Sequence, residues 1–180
     1  MKKISILTII IAIVLCGCEF NSNKNDGDIK ENDLIDVSIT LYFGDSQAMY
    51  VVPEKRNIRV NKDISNEEYA KIILDELIKG PVDENKNPTI PAEVKVLNVE
   101  IKEDLLYVDF SNEMHTKHWR GAAGESMTLL SLANTMTEID GIKRVLPSVE
   151  GAALSIEHVI VEEPLIRDEG MIFIPWLCIK

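Results

Sequence analysis

Cysteine is scarce in this 180-residue chain, which contains only Cys16, Cys18 and Cys178. Small secreted domains without a large apolar core are held together by several disulfides, and three cysteines cannot form such a framework. The fold must therefore be stabilised by a packed core. Two of the cysteines flank Gly17 at the end of an apolar run. This arrangement is open to three interpretations: a redox pair, half of a metal site, or a processing signal.

Basic residues are in the minority, because 19 lysines and arginines stand against 30 acidic side chains and give a net charge of −11 at pH 7. A surface with this balance repels the phosphates of nucleic acid and the anionic headgroups of a membrane. Nucleic-acid binding is therefore disfavoured. Contact with a membrane has to come from something other than surface charge.

The chain lacks an apolar run as long as the roughly 20 residues of a membrane-spanning helix. Its N-terminal run, Ile4–Cys18, follows two lysines and ends in small residues, which is the layout of a secretory signal. Leu15–Cys18 matches the lipobox of bacterial lipoprotein signals, in which the last cysteine receives a diacylglycerol thioether. We therefore predict a signal peptide over 1–17 that carries Cys16 away. The mature protein is then anchored through lipid on Cys18 to the extracytoplasmic face of the cell membrane.

Composition divides the rest of the chain into three parts. Residues 18–36 are rich in Asn, Asp, Lys and Glu and are predicted to form a flexible linker that lifts the domain off the bilayer. Residues 37–165 are predicted to form one domain. The tail, 166–180, ends in MIFIPWLCIK, so it either packs back onto the sheet or presents a surface to a partner. In the packed arrangement Cys178 is a small buried residue.

Alternation of apolar and polar residues predicts strands at the start of the domain. Val37–Phe43 has this pattern, with Tyr42 on the polar face. A second extended segment is expected to be interrupted by Pro53 and to resume at Ile58–Val60, because proline cannot donate a ladder hydrogen bond. Two further β-rich runs surround Lys102–Asp104 and predict a hairpin.

Two helices are predicted between the strands. Ser65 and Glu68 have the spacing of a capping box, and the pair at 80–81, glycine then proline, supplies a stop, so the first helix covers 66–79. Apolar residues at helical spacing predict the second helix over 125–139.

Strand character returns after the second helix, at Ile142–Val149 and Ala152–Val161. The element order is then β-β-α-β-β-α-β-β, with hairpins rather than long crossovers. This order predicts a single compact α+β domain in which a mostly antiparallel sheet carries both helices on one face.

Motifs that carry chemistry are weak in this sequence. The segment GESMT at 124–128 departs from the nucleophile elbow at its last position. His115 and His118 lie three apart near Glu113, which is weak evidence for zinc outside a helix, and His158 cannot be placed beside them from the sequence. We therefore predict no catalytic residues, no metal site and no cofactor.

Trp119 and Arg120 follow the two histidines directly. Aromatic and arginine side chains are enriched at binding hot spots, so this pair favours a recognition patch. Ordinary packing of the two side chains is the alternative interpretation.

The segment Gly124–Gly151, GESMTLLSLANTMTEIDGIKRVLPSVEG, resembles the signature of the GerM-type sporulation and germination domain. Upstream, ITLYFGD at Ile39–Asp45, the LIKGP ending of the first helix and LYVDFS at Leu106–Ser111 also match, so the resemblance covers about 37–154. Ala133 and Met136 depart from the larger aliphatic residues of the family, which affects packing. The matching positions of the signature are Glu125, Thr128, Leu129, Leu130, Asn134, Thr135, Thr137, Val145 and Gly151.

The resemblance implies an extracytoplasmic, often lipidated protein of an endospore-forming bacterium. It implies a domain similar to the ring-building motifs of envelope-spanning complexes, and it implies no catalytic residues. In this interpretation Asn134 and Thr135 are helix residues whose polar groups bond neighbouring loops or a partner.

Two hypotheses of different classes follow. The first is a tethered, non-catalytic binding or assembly module in sporulation or germination, which docks other spore-envelope proteins and forms a homo-oligomer or ring. Its partner-binding candidates are Trp119, Arg120, Asn134 and Thr135. The second is an envelope hydrolase or metal-dependent enzyme, or a small-ligand sensor. A deep pocket that gathers acidic and histidine side chains would favour the second.

Overall fold

The computed structural model describes residues 33–119 and 121–173. The predictions for the signal peptide, for Cys18, for the linker up to residue 32, for Arg120 and for the tail from residue 174, including Cys178, lie outside the described residues. The helices are α1 Asn66–Ile78, α2 Glu113–Thr116 and α3 Ala122–Met136, and a 3₁₀ turn covers Glu169–Met171. The strands are β1 Leu34–Gly44, β2 Val51–Asn61, β3 Val96–Lys102, β4 Leu105–Phe110, β5 Arg144–Val149, β6 Ala152–Ala153, β7 Ser155–Ile156, β8 Val159–Ile160 and β9 Leu165–Ile166.

β1 and β2 form a long antiparallel hairpin in which each strand has 11 residues. β1 starts at Leu34, so the last residues of the predicted linker belong to the sheet. The interruption predicted at Pro53 is wrong, because β2 continues through it opposite Tyr42. The backbone N–H and C=O of Tyr42 bond to α3 instead of β2. Tyr42 and Pro53 therefore face each other at a non-hydrogen-bonded position, where the missing N–H of proline removes no ladder bond.

The capping box predicted for α1 is present. The Ser65 hydroxyl accepts a hydrogen bond from the backbone N–H of Glu68 at 3.2 Å, and the Glu68 carboxylate accepts from the Ser65 N–H at 3.4 Å. The helix ends at Ile78, close to the predicted end, and Gly80 has a φ of +82° that favours glycine. Local side-chain chemistry thus determines both ends of this helix.

The second sheet is built around β4 and β5. β3 and β4 form the predicted hairpin, whose turn places Glu103 at a φ of +56°. β4 and β5 are parallel, and α3 connects them, so the expectation of hairpins alone is wrong at this point. β6 and β9 both pair antiparallel with β5. The α+β class and the mostly antiparallel pairing are confirmed.

One main core lies between the sheets and the two long helices. α1 packs against β3 and β1, while α3 packs against β1 and β5. A smaller cluster on the opposite face of β1 contains Tyr42, Val51 and Met127, with Ile172 packed against it. Tyr42 is therefore buried, contrary to the polar face predicted for it, and the start of the tail covers the hairpin. The largest fully buried apolar side chains are Phe43, Phe110, Leu41, Leu74, Leu77, Ile90, Leu106, Met114, Leu132, Met136 and Leu154.

Replacing Ser65 by alanine is expected to lower the free energy of unfolding by about 1 kcal/mol, because the N-cap acceptor for the Glu68 N–H is lost. Chemical denaturation of the full chain measures this difference. Ser46→Ala, at an exposed serine in the β1–β2 turn, is the matched control and should change stability by less than about 0.5 kcal/mol. Equal effects of the two substitutions would contradict the capping role.

Candidate functional site

Helix α3 lies along the edge of β1 that β2 leaves open. The backbone N–H of Tyr42 donates to Thr135 Oγ1 at 3.0 Å, and the Ser131 hydroxyl donates to the Tyr42 carbonyl at 2.6 Å. Both hydroxyl residues are fully buried. Buried backbone groups need partners, and here side chains of a helix take the place of a neighbouring strand. The helix is therefore fixed in register against the sheet.

The same face of α3 holds the loop that precedes β3. Thr89 Oγ1 lies 2.6 Å from Ser131 Oγ, and Thr128 Oγ1 lies 2.6 Å from the Thr89 carbonyl oxygen. Because the one hydroxyl hydrogen of Ser131 goes to a carbonyl, the Thr89 hydroxyl is the donor in the Thr89–Ser131 bond. This chain of hydroxyls ties loop, helix and β1 together inside the protein.

The C-terminal end of α3 is held by the segment after β9. The backbone N–H of Asp168 donates to Asn134 Oδ1 at 3.1 Å, and Arg167 donates to the Asn134 carbonyl and to the Tyr42 hydroxyl. The Tyr42 hydroxyl donates to Glu138 at 2.7 Å. Burial, together with the hydrogen bond to Glu138, raises the pKa of Tyr42 above its usual value.

The expectation that Asn134 and Thr135 bind a partner is therefore corrected. Neither side chain has any exposed surface; Asn134 Oδ1 accepts from the backbone N–H of Asp168, and Thr135 Oγ1 accepts from the backbone N–H of Tyr42. The sequence left two roles open for these residues, bonding to neighbouring segments or to a partner. In the structure they bond neighbouring segments. The signal that the sequence analysis missed is the spacing of Thr128, Ser131 and Thr135, which places three hydroxyls on one buried face of a helix.

Trp119 is 42% exposed and stands between two surface hollows. The first, of about 390 Å³, is bounded by the loop after α1, including Pro81 and Pro88. The second, of about 280 Å³, lies against Ala48 and Met127. Trp119 is thus the expected recognition residue that the structure places on the surface.

His118 holds Trp119 in place. Its Nδ1 lies 2.7 Å from the Trp119 carbonyl oxygen, its Nε2 lies 2.7 Å from Thr128 Oγ1, and the two aromatic rings meet edge to face. A carbonyl oxygen only accepts, so Nδ1 carries a hydrogen and this bond orients the ring. Burial lowers the pKa of His118 below that of a free histidine.

The loop beside Trp119 is anchored by Glu54, which the sequence analysis did not single out. The buried carboxylate of Glu54 accepts from Arg56 at 2.7 Å and from the backbone N–H groups of Val82 and Asp83. Burial alone would raise the pKa of Glu54, but these bonds and the charge of Lys86 hold it below its usual value. One wall of the first hollow thus depends on this carboxylate.

A cluster of acidic and histidine side chains lies at the start of α3. Glu125 is 1% exposed, and its Oε1 accepts from the backbone N–H of His158 at 3.2 Å and lies 3.0 Å from His158 Nδ1. Glu157 adopts a φ of +32°, and its Oε2 accepts from the Gly121 N–H at 2.8 Å. The hydrogen bond to Glu125, with the charges of both glutamates, raises the pKa of His158.

The histidine pair noted in the sequence does not form the centre of this cluster. Within the described ranges, one set of three potential ligands comes together, namely Glu125, Glu157 and His158. His115 instead accepts a weak hydrogen bond from the Ser155 N–H at 3.4 Å. Also within residues 33–119 and 121–173, no helix has the length and apolar character needed to cross a membrane.

Glu54→Gln is expected to lower the free energy of unfolding at pH 7 by about 2 kcal/mol, since hydrogen bonds to a charged acceptor are weakened. Glu54 has a lower pKa in the fold than in the unfolded chain, so its contribution is complete above about pH 4.5 and disappears as the pH falls through the folded pKa. Denaturant unfolding of both proteins from pH 7 to pH 3 should show the difference shrinking. A difference that stays constant down to pH 3 would show that the charge of Glu54 is not the stabilising feature.

Residues 40–155 match the model of the Germane family, described as sporulation and spore germination. No curated protein matches the chain.

Solved structures from two organisms share the architecture. A candidate lipoprotein from Clostridium perfringens is 24% identical, with a TM-score of 0.51 over 73% of this chain and 87% of that chain. The first GerMN domain of the sporulation protein GerM from Bacillus subtilis is 21% identical, with a TM-score of 0.53 over 74% of this chain and 98% of that one.

The tandem GerMN domains of GerM from Bacillus subtilis are 22% identical, with a TM-score of 0.58 over 81% of this chain. This chain spans 50% of the tandem structure. At these identities the likeness shows the fold. Because the family model matches well over half of the sequence, the chain belongs to the Germane family of sporulation and spore germination.

Proposed function

We propose that this protein is a lipid-anchored, extracytoplasmic binding or assembly module that acts in sporulation or spore germination without catalysing a reaction. The Germane family is described by a cellular process rather than by a reaction, which supports a role of this kind. The domain presents a surface to a partner, and the lipid keeps that surface close to the membrane.

The main support for the proposal is that the polar side chains of α3 point into the protein. Thr128, Ser131 and Thr135 are all fully buried, and each bonds β1 or the loop before β3. A reactive centre needs polar groups that substrate can reach. These groups instead stabilise the position of α3, as expected for a docking scaffold.

Trp119 is the proposed contact residue for a partner protein. Its ring is partly exposed between two hollows and packs edge to face against the ring of His118, which restricts the side chain before binding. Rigid aromatic anchors beside small hollows are typical of interface hot spots. Other spore-envelope proteins are the proposed partners. If the protein forms a homo-oligomer or ring, the proposed partner is a second copy of this chain.

Cys18 is the proposed anchor, and the lipobox at Leu15–Cys18 supports it. With a net charge of −11, the protein gains little from anionic headgroups, so membrane attachment depends on acyl chains. Residues 18–32 then separate the lipid from the first described strand.

Cys18→Ala is expected to abolish incorporation of a labelled fatty acid into the full chain, because the thioether acceptor is lost. Cys16→Ala is the matched control and should remain labelled, since alanine is also a small residue. Mass spectrometry of the wild-type protein should find an N-terminus at Cys18 carrying diacylglycerol. An unmodified chain that retains Cys16 would overturn the anchor.

A photo-crosslinking amino acid at position 119 should capture an envelope protein in sporulating or germinating cells. The same probe at Leu97, which is exposed on β3, is the control and should not capture that protein. Once the partner is identified, Trp119→Ala should weaken its binding by at least about 30-fold, as expected for a hot spot of about 2 kcal/mol. The same capture pattern at both positions, or none at position 119, would contradict this docking surface.

A further inference from the structure

We propose that Glu125, Glu157 and His158 form a binding site for one Zn²⁺ ion, which links the turn between β7 and β8 to the start of α3. The three side chains come from two segments that are 32 residues apart at their nearest, and the fold brings their potential ligand atoms within 4.8 Å of one another. This inference is independent of the proposed docking function.

Two of the three spacings between the donor atoms fit a zinc ion. Zinc binds imidazole nitrogen and carboxylate oxygen at about 2.0–2.2 Å in a tetrahedron, which places neighbouring donors about 3.4 Å apart. His158 Nδ1 lies 3.0 Å from Glu125 Oε1 and 3.8 Å from Glu157 Oε2. Both distances therefore lie within about half an ångström of the required spacing.

The second oxygen of Glu125 is an independent observation that points to a ligand. Within the described part of the chain, Glu125 Oε2 is buried and has no hydrogen-bond partner. It belongs to the carboxylate whose Oε1 bonds His158. A buried carboxylate oxygen without a partner is unfavourable. A cation bound by both oxygens of Glu125 would give Oε2 a partner.

The surroundings of the cluster suit a cation that arrives from solvent. His158 is 64% exposed and Glu157 is 39% exposed, whereas Glu125 forms the buried floor. One imidazole and two carboxylates provide three protein ligands, and water would complete the tetrahedron. The imidazole favours zinc over the hard cations Mg²⁺ and Ca²⁺, which prefer oxygen ligands alone.

The remaining groups of the cluster hold the ligands in place. The Gly121 N–H orients Glu157 through its Oε2, and the His158 N–H orients Glu125 through its Oε1. Hydrogen bonds of this kind to metal ligands improve affinity by fixing their direction. An ion at this position would tie the β7–β8 turn to the start of α3.

Isothermal titration calorimetry of the full chain in detergent, without a polyhistidine tag and with Zn²⁺ as the titrant, tests the site. We expect one Zn²⁺ per chain and a rise in the thermal unfolding midpoint on addition of Zn²⁺. His158→Ala should weaken binding by at least tenfold and remove the rise in the midpoint. His115→Ala, which removes another exposed imidazole close by, should leave both unchanged.

Glu125→Gln is the second variant, because it keeps the shape of the buried side chain and removes the charge. Its unliganded unfolding midpoint establishes that it folds, and its zinc affinity should also fall by at least tenfold. The site is overturned if the wild type binds no Zn²⁺, or if His158→Ala and His115→Ala weaken binding equally. A ratio of one Zn²⁺ that persists unchanged in Glu125→Gln would likewise overturn it.

Discussion

Two hydrogen bonds between helix α3 and the backbone of Tyr42 are the constraint on which the rest of the structure depends. Without these bonds, the backbone N–H and C=O groups on the edge of β1 away from β2 would be unpaired. Buried unpaired groups are unfavourable, and an exposed strand edge can pair with another chain. The hydroxyls of Ser131 and Thr135 bond this edge. A helix can therefore lie against the edge of a strand, and its apolar residues enter the main core on one side of β1 and the smaller cluster on the other.

The polar face of α3 then organises the neighbouring segments. Thr89 brings the loop before β3 onto the helix, and Asn134 receives the chain after β9. These contacts make the most distinctive residues of the family signature internal. Two surface features, Trp119 and the cluster around Glu125, lie beside the start of the same helix. A rigid helix thus positions a proposed docking residue and a proposed cation site close together.

Local signals in the sequence were sufficient where one segment determines its own structure. The capping box at Ser65, the glycine stop after α1 and the β3–β4 turn all appear as predicted, because each depends on residues within four positions of one another. The start of α3 was placed three residues late, since Gly121 caps it without a side-chain hydrogen bond that a pattern would reveal. The polar face expected for Tyr42 was wrong because distant residues, Met127 and Ile172, cover it.

The sequence by itself determined the two long helices, the α+β class, the resemblance to the GerM-type domain and the predicted lipid anchor at Cys18, whereas the predicted strand Ala152–Val161 is divided into the short strands β6, β7 and β8. Tertiary structure decided the parallel pairing of β4 with β5, the burial of Asn134 and Thr135, and the meeting of Glu125 with Glu157 and His158. The physical reason is the separation along the chain of the residues that interact. Periodicity, caps and turns depend on neighbours along the chain, whereas burial and ligand geometry depend on residues that only the folded chain brings together.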